Sequence, residues 1–438
     1  MSVSLVNSSS YLESLLEGQP QLPASPLAWF NQLRAHAVDC AGRLKLPTTR
    51  DEEWRFTDLS PLARQSFQPA QAAAAPQGAD VEHFFVAEAA IRLVFVDGKY
   101  MPQLSTPAER LGNRGLIVTN LSAAITANAE AIEPHLGQYA RFENNLFAAL
   151  NTAFLHDGAL VIVPRGAAID TPVHVLLIAT QPEAASHPRC LFIAEAGSEV
   201  TILEDYVSLN EAAYVTNAVT EIAVGDNARI SHIRVQRDST EAFHIGNCAV
   251  SLAHASRYRS VSVALGARIS RYDLNTVLDA EGAECAIDGL ALIHDHQLAD
   301  THSSIDHAKP NCTSRQLHKC IADGSAHAVF NGKIMVRPDA QNTDSAQSSR
   351  NLLLNAKARI DTKPQLEIFA NDVKCAHGAT VGQLDSEELF YLKSRGLSGV
   401  TARNLLTYAF GAEIIDRIPI ASLKYRLEQT VLEQTKKN

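Results

Sequence analysis

The stretch Ser260-Val-Ser-Val-Ala-Leu-Gly-Ala-Arg-Ile269 decides how the middle of this chain is read. Val261, Val263 and Leu265 alternate with Ser260, Ser262 and Ala264, the period-two pattern of a half-buried strand. Gly266 ends the run and Ile269 starts the next one. The same unit, a glycine-led turn followed by a β-branched or apolar residue, recurs at Gly166-Ala-Ala-Ile169, Gly197-Ser-Glu-Val200, Gly225 to Ile230, Gly282-Ala-Glu-Cys285 and Gly324-Ser-Ala-His327. The steps between these glycines are 31, 28, 41, 16 and 42 residues. Such spacing is too irregular for a propeller, whose blades repeat at nearly constant length. It suits a β-solenoid, whose coils stack and tolerate insertions at corners. An antiparallel sandwich fits the same short strands and turns, so periodicity alone leaves both open.

On either side the pattern turns helical, apart from a helix expected inside the β region around residues 121 to 155. Residues 1–66 form an N-terminal region, helical from residue 11. In it Ser25 can cap a helix with Pro26 at its first position, running through Leu27, Phe30, Leu33, Ala37 and Cys40 to Gly42. Arg50 to Asp58 is a charged run in which Trp54 and Phe56 pack inward at a surface helix start. Residues 67–80, rich in Ala, Gln and Pro, have linker composition. The β core is placed at 81–383 and a C-terminal helical region at 384–438. In that tail Ser386-Glu-Glu-Leu389 reads as a capped helix start ending at Gly396. A second helix runs through Ala402, Leu405, Leu406 and Phe410 to Gly411, and a third, after Pro419, lines up Leu423, Leu427 and Val431. Such apolar stripes pack on their own body or offer a groove to a partner.

The chain has 438 residues with 46% hydrophobic and 20% charged content, which are globular proportions, and a net charge of −10. That charge argues against a nucleic-acid partner or a basic membrane patch. Residues 1–10 lack the basic and apolar blocks of a signal peptide, and runs such as Val173 to Ala179 are too short to span a bilayer. A cytoplasmic location is expected. Seven cysteines, an odd number without C-x-x-C, make neither a disulfide framework nor a zinc ribbon.

One stretch carries chemistry: Asn371-Asp-Val-Lys-Cys-Ala-His-Gly-Ala-Thr-Val-Gly-Gln383. In an extended backbone Cys375 and His377 point the same way. Thiolate and imidazole both ligate zinc, copper or iron–sulfur species, yet two ligands cannot close a four-coordinate site. Either the pair is structural, or another chain supplies the rest. His294, His296, His302 and His307 resemble a metal box only if the chain bends, because His302 and His307 fall on opposite strand faces. Hydrogen-bonded or exposed histidines along a coil edge are the plainer reading. No G-x-x-x-x-G-K-[ST], H-E-x-x-H or G-x-S-x-G occurs, and no carboxylate pair nominates itself for acid–base work.

The segments Asp306-His-Ala-Lys-Pro-Asn-Cys-Thr-Ser-Arg-Gln316, Asn331-Gly-Lys-Ile-Met-Val-Arg337, Asn351-Leu-Leu-Leu354, Pro364-Gln-Leu-Glu-Ile368, Asp372 to Gly382 and Phe390-Tyr-Leu-Lys-Ser-Arg-Gly396 resemble the SufB/SufD family, scaffolds of iron–sulfur cluster assembly. The Asp51 to Asp58 run resembles the family's N-terminal motif. Gly378, where the SufB branch typically has glutamate, makes the stretch more similar to the SufD branch. The resemblance implies a right-handed parallel β-helix between helical ends and a non-catalytic role. It implies a partner SufB, with a transient cluster held at the shared interface by His377 and, less directly, Cys375. It further implies docking of the ATPase SufC on the C-terminal helices, through Leu389, Phe390, Tyr391, Leu392, Leu405, Leu406 and Phe410. In isolation a homodimer fits as well. A SufB-type paralogue that takes sulfur on its own cysteine is disfavoured by Gly378, and a secreted β-helix enzyme acting on polysaccharides by the lack of a signal peptide. Deleting residues 386 to 438 is expected to abolish SufC binding and leave the β-rich body folded.

Overall fold

In the computed structural model of the chain, residues 10–18, 25–71, 76–106 and 115–436 are described. The Ala72–Ala75 part of the linker stretch and nearly all of the leading segment lie outside them. Two parallel sheets face each other and are linked coil by coil. The first contains Ala159–Val163, Arg189–Ala194, Val215–Val224, Phe243–Leu252, Ile269–Leu278, Leu298–His307, His327–Val336 and Arg359–Ile368. The second contains Ile91–Val96, Val173–Ala179, Glu199–Ser208, Arg229–Arg237, Arg257–Ala264, Glu284–Ile293, Thr313–Ala322, Thr343–Leu353 and Val373–Gly382. This is a β-solenoid; the sandwich alternative is excluded because successive coils pair in parallel.

One corner of seven successive coils, all but the last, holds a residue in the left-handed backbone region. Gly166, Gly197, Asn227, Ala255, Gly282, Asn311 and Asn342 stack there, with φ between 49° and 72°. Each of these amides donates to the carbonyl of a residue in the next coil, as in Gly197 to Asp226, Asn227 to His254 and Asn311 to Gln341. Asparagine tolerates this conformation better than most side chains, so glycine is not obligatory. The opposite corner has its own column, Ala267, Asp295 and Gly324. A glycine-only reading mixes the two corners and skips the asparagines, which makes a regular coil look irregular.

The strand that opened the sequence reading alternates as expected, but its apolar face points the other way. Val261 and Val263 lie on the outer surface of the second sheet, in a cluster with Leu290, Leu292, Ile414, Leu423, Leu427 and Val431. The C-terminal helices Gly399–Ile415 and Ala421–Lys436 cover that surface, while Ser260 is buried on the other face. Both faces of the sheet are thus covered, as parallel sheets require. On the outer side of the first sheet, Ser10–Gly18, Ala28–Arg43 and Leu146–Ala153 pack through Tyr11, Leu15, Ala37, Phe147 and Leu150 against Phe243, Ile245 and Ile269.

Local differences have local causes. Residues 44–59 form no α-helix: Pro47 has no amide to donate, and the Asp51 carboxylate accepts from the Thr48 amide at 2.7 Å, closing a turn. Trp54 ends a short 3₁₀ turn and, like Phe56, is half-buried. Phe67, in the expected linker, is fully buried, and Gln68–Pro69 pairs with Ala184–Ser186. Between 121 and 155 the helix is split into Leu121–Ala127, Ala129–Ile132 and Leu146–Ala153. The tail's first helix is capped by Asp385 rather than Ser386, and the second passes Gly411, which lies 3.6 Å from Leu290 and Ile321, measured from an added Cβ.

Candidate functional site at the open end of the solenoid

The two ends of the solenoid differ. At the start, Ile117–Asn120 runs antiparallel to Ala159–Val163, and Ile91–Val96 turns back on Lys99–Tyr100, so the first coil is closed off. At the other end Arg359–Ile368 and Val373–Gly382 are the edge strands of their sheets, and no described strand pairs beyond them. Ile368, Phe369 and Val381 are exposed there.

Cys375 and His377 stand on that last strand, on the inward face, as the alternation predicts. Cys375 is half-buried against the solenoid interior, while His377 is exposed to the open end. Burial pushes the Cys375 thiol up, and the Asp344 carboxylate adds to the effect. The other six cysteines are buried. Among the described residues, no three His, Cys, Asp or Glu side chains gather as a metal site. The pair thus places two accessible donor groups on one strand face, two short of a four-coordinate site.

The four histidines do not converge. His294 and His296 lie in the turn after Glu284–Ile293, with His294 Nδ1 2.8 Å from Asp295. His307 faces inward, 2.9 Å from the Ser314 hydroxyl, and burial lowers its pKa to about 4. His302 faces outward, toward the N-terminal segment. Its Nε2 is 3.1 Å from Asp300 and its Nδ1 is 3.2 Å from Glu53. Burial alone would lower its pKa; the Asp300 carboxylate, helped by Glu53, outweighs this and raises it to about 8. Arg271 bridges to Asp300 at 2.6 Å, and its guanidinium lies 4.4 Å from the Trp54 ring centroid. Sequence reasoning missed this clasp because its members are some 250 residues apart.

The expected docking residues divide into two groups. The helix Ser386–Ser394 has no buried residue; Phe390 is 74% and Tyr391 55% exposed, with Val400 at 58% and Leu405 at 43% beside them. Leu389, Leu392 and Leu406 are half-buried. Phe410 turns inward instead: its carbonyl takes the Lys319 ammonium at 2.9 Å, and its ring lies 4.4 Å from that nitrogen.

A parallel β-solenoid with an open last coil and helical covers on both sheets sets the class of the protein by its fold. Sequence comparison makes the assignment specific. A family model for the SufBD core domain of the SUF system of iron–sulfur cluster assembly matches residues 177–410, and one for the SufBD N-terminal region matches residues 6–175. The chain belongs to the SufBD family. It is 41% identical over 418 residues to an iron–sulfur cluster assembly SufBD family protein of Synechocystis, covering 91% of this chain and 89% of that one. It is 34% identical over 391 residues to the iron–sulfur cluster assembly protein SufD of Escherichia coli, covering 88% of each. The Bacillus subtilis SufD is 26% identical over 97% of both chains. The family function is iron–sulfur cluster assembly, and no described helix is long and apolar enough to cross a membrane.

Proposed function

We propose that this chain is the SufD-type scaffold subunit, acting in the cytoplasm and performing no ATP hydrolysis of its own. It pairs with SufB through its open last coil and contributes His377, with Cys375 beside it, to a nascent cluster. The observation that carries this reading is an uncovered inner face bearing two soft donors between two unpaired edge strands. Ten-residue edges left open invite pairing with other chains, and addition of a partner strand is the ordinary way to satisfy them. A related solenoid can continue the stack and bring the missing ligands. The helices around Phe390, Tyr391 and Leu405 dock SufC, whose nucleotide cycle moves the scaffold pair.

Anaerobic co-expression with SufB and SufC, followed by iron and sulfide analysis, tests this. In a His377→Ala variant the co-purifying iron and sulfide should fall severalfold while the complex still assembles. Unchanged cluster content would remove His377 from the mechanism.

A further inference from the structure

Inside the solenoid, side chains of one face stack in columns from coil to coil. The column that ends at His377 continues down through Gln347 and Gln316, since Gln347 pairs with His377 and Gln316 pairs with Gln347. Both glutamines are at least 95% buried. Gln347 Nε2 donates to Gln316 Oε1 at 2.7 Å, and Gln316 Nε2 donates to the Ser303 hydroxyl at 2.8 Å. The chain of amides is thus oriented, each donor pointing away from the open end. Its last member is left with Gln347 Oε1 buried and without a donor.

A buried acceptor without a partner has given up its hydration with nothing in exchange. The neighbouring column, His307, Ser314 and Ser345, is hydrogen-bonded within itself at 2.9 Å and 2.7 Å, and none of its groups reaches Gln347 Oε1. The next group above Gln347, one strand spacing of about 4.8 Å away, is the His377 imidazole. A neutral imidazole carries one N–H and one lone pair, and ligating histidines generally give their N–H to a carbonyl or carboxylate behind them. His377 is exposed at the open end, so the ring has room to turn.

We propose that Gln347 is the positioning residue of His377: its free carbonyl oxygen receives one ring N–H, fixes the tautomer and directs the other nitrogen's lone pair out of the open end. This rests on the reading of His377 as a ligand. The ring then meets iron or sulfur pre-oriented by an amide ladder anchored two coils deep.

The test uses the full chain labelled with ¹⁵N-histidine, without metal or partner, with the His377 signals assigned by their loss in His377→Ala. The wild type should show the shifts of one neutral tautomer. Gln347→Leu, and Gln347→Met as a second variant of matching length, should move them to the average of a freely exchanging imidazole. A mixture in the wild type, or spectra unchanged by removal of the amide, overturns the proposal whatever the cluster yield. In the assembled complex, Gln347→Leu should weaken cluster retention on the order of 10-fold or more. A tautomer shift with unchanged cluster content instead supports the positioning and overturns the ligand role of His377.

Discussion

Arg189 and Glu221 are both fully buried and lie 2.6 Å apart, between the first sheet and the helices that cover it. Glu221 also accepts from the Gly137, Tyr139 and Ala140 amides at 2.8 to 3.0 Å, while Arg189 reaches Asn151 and Thr152. One carboxylate thus holds a loop, a helix and a strand together. Removing its charge leaves a guanidinium buried without a counter-ion, which costs about 3–5 kcal/mol. Glu221→Gln should therefore lower the unfolding free energy by about that amount in a denaturant titration, and a loss below 1 kcal/mol would contradict the assigned role. At this scale the sequence was legible where chemistry is local. The alternation of Cys375 and His377 needed only a strand. Gln347 stands thirty residues before His377 and becomes its neighbour only through coil register, which asparagines at the corners concealed.

The N-terminal element around Trp54 is tied to the first sheet by the clasp of Glu53, Trp54 and Thr57 on Arg271, Asp300 and His302. Groups facing His302 are Asp300 on its own strand, Glu53 from the N-terminal turn and Arg271 from the adjacent strand. Its pKa of about 8 lies above the ordinary 6.5, so the folded state binds the proton more tightly. The resulting stabilisation, at most about 2 kcal/mol, is complete below about pH 6.5 and is lost as pH rises through 8. The chain has two tryptophans, so Trp29→Phe leaves Trp54 as the only indole. Its fluorescence should titrate between pH 6.5 and 8.5, and His302→Gln should abolish that transition. A flat profile would show that His302 does not govern the element. The helices themselves were readable from their apolar spacing, and the third tail helix buries Leu423, Leu427 and Val431. The clasp was not, because a histidine's partner across a sheet leaves no local pattern.

Across the whole molecule, the C-terminal region has a buried side and an exposed side, and this revises the expected effect of removing it. Ile414, Ile415, Ile418, Ile420, Leu423, Leu427 and Val431 are all buried on the second sheet. Arg417 pairs with Asp288 at 2.6 Å, and Glu413 pairs with Lys319. Deleting 386–438 strips a wall from the solenoid and exposes a broad apolar sheet face, so the body should not survive it intact. Loss of a partner in that variant says nothing about docking. Substitutions probe the two sides separately. Phe390→Ser with Tyr391→Ser changes exposed side chains that pack on nothing buried, and stability should move by no more than about 0.5 kcal/mol. Leu427→Ala opens a cavity under the last helix and should cost about 2–5 kcal/mol. If the exposed patch is the ATPase-docking surface, the double serine variant should fail to co-purify SufC at unchanged melting temperature. Leu427→Ala should keep SufC as long as it stays folded. The reverse pattern, with SufC retained by the serine variant and lost from folded Leu427→Ala, would place docking on another face.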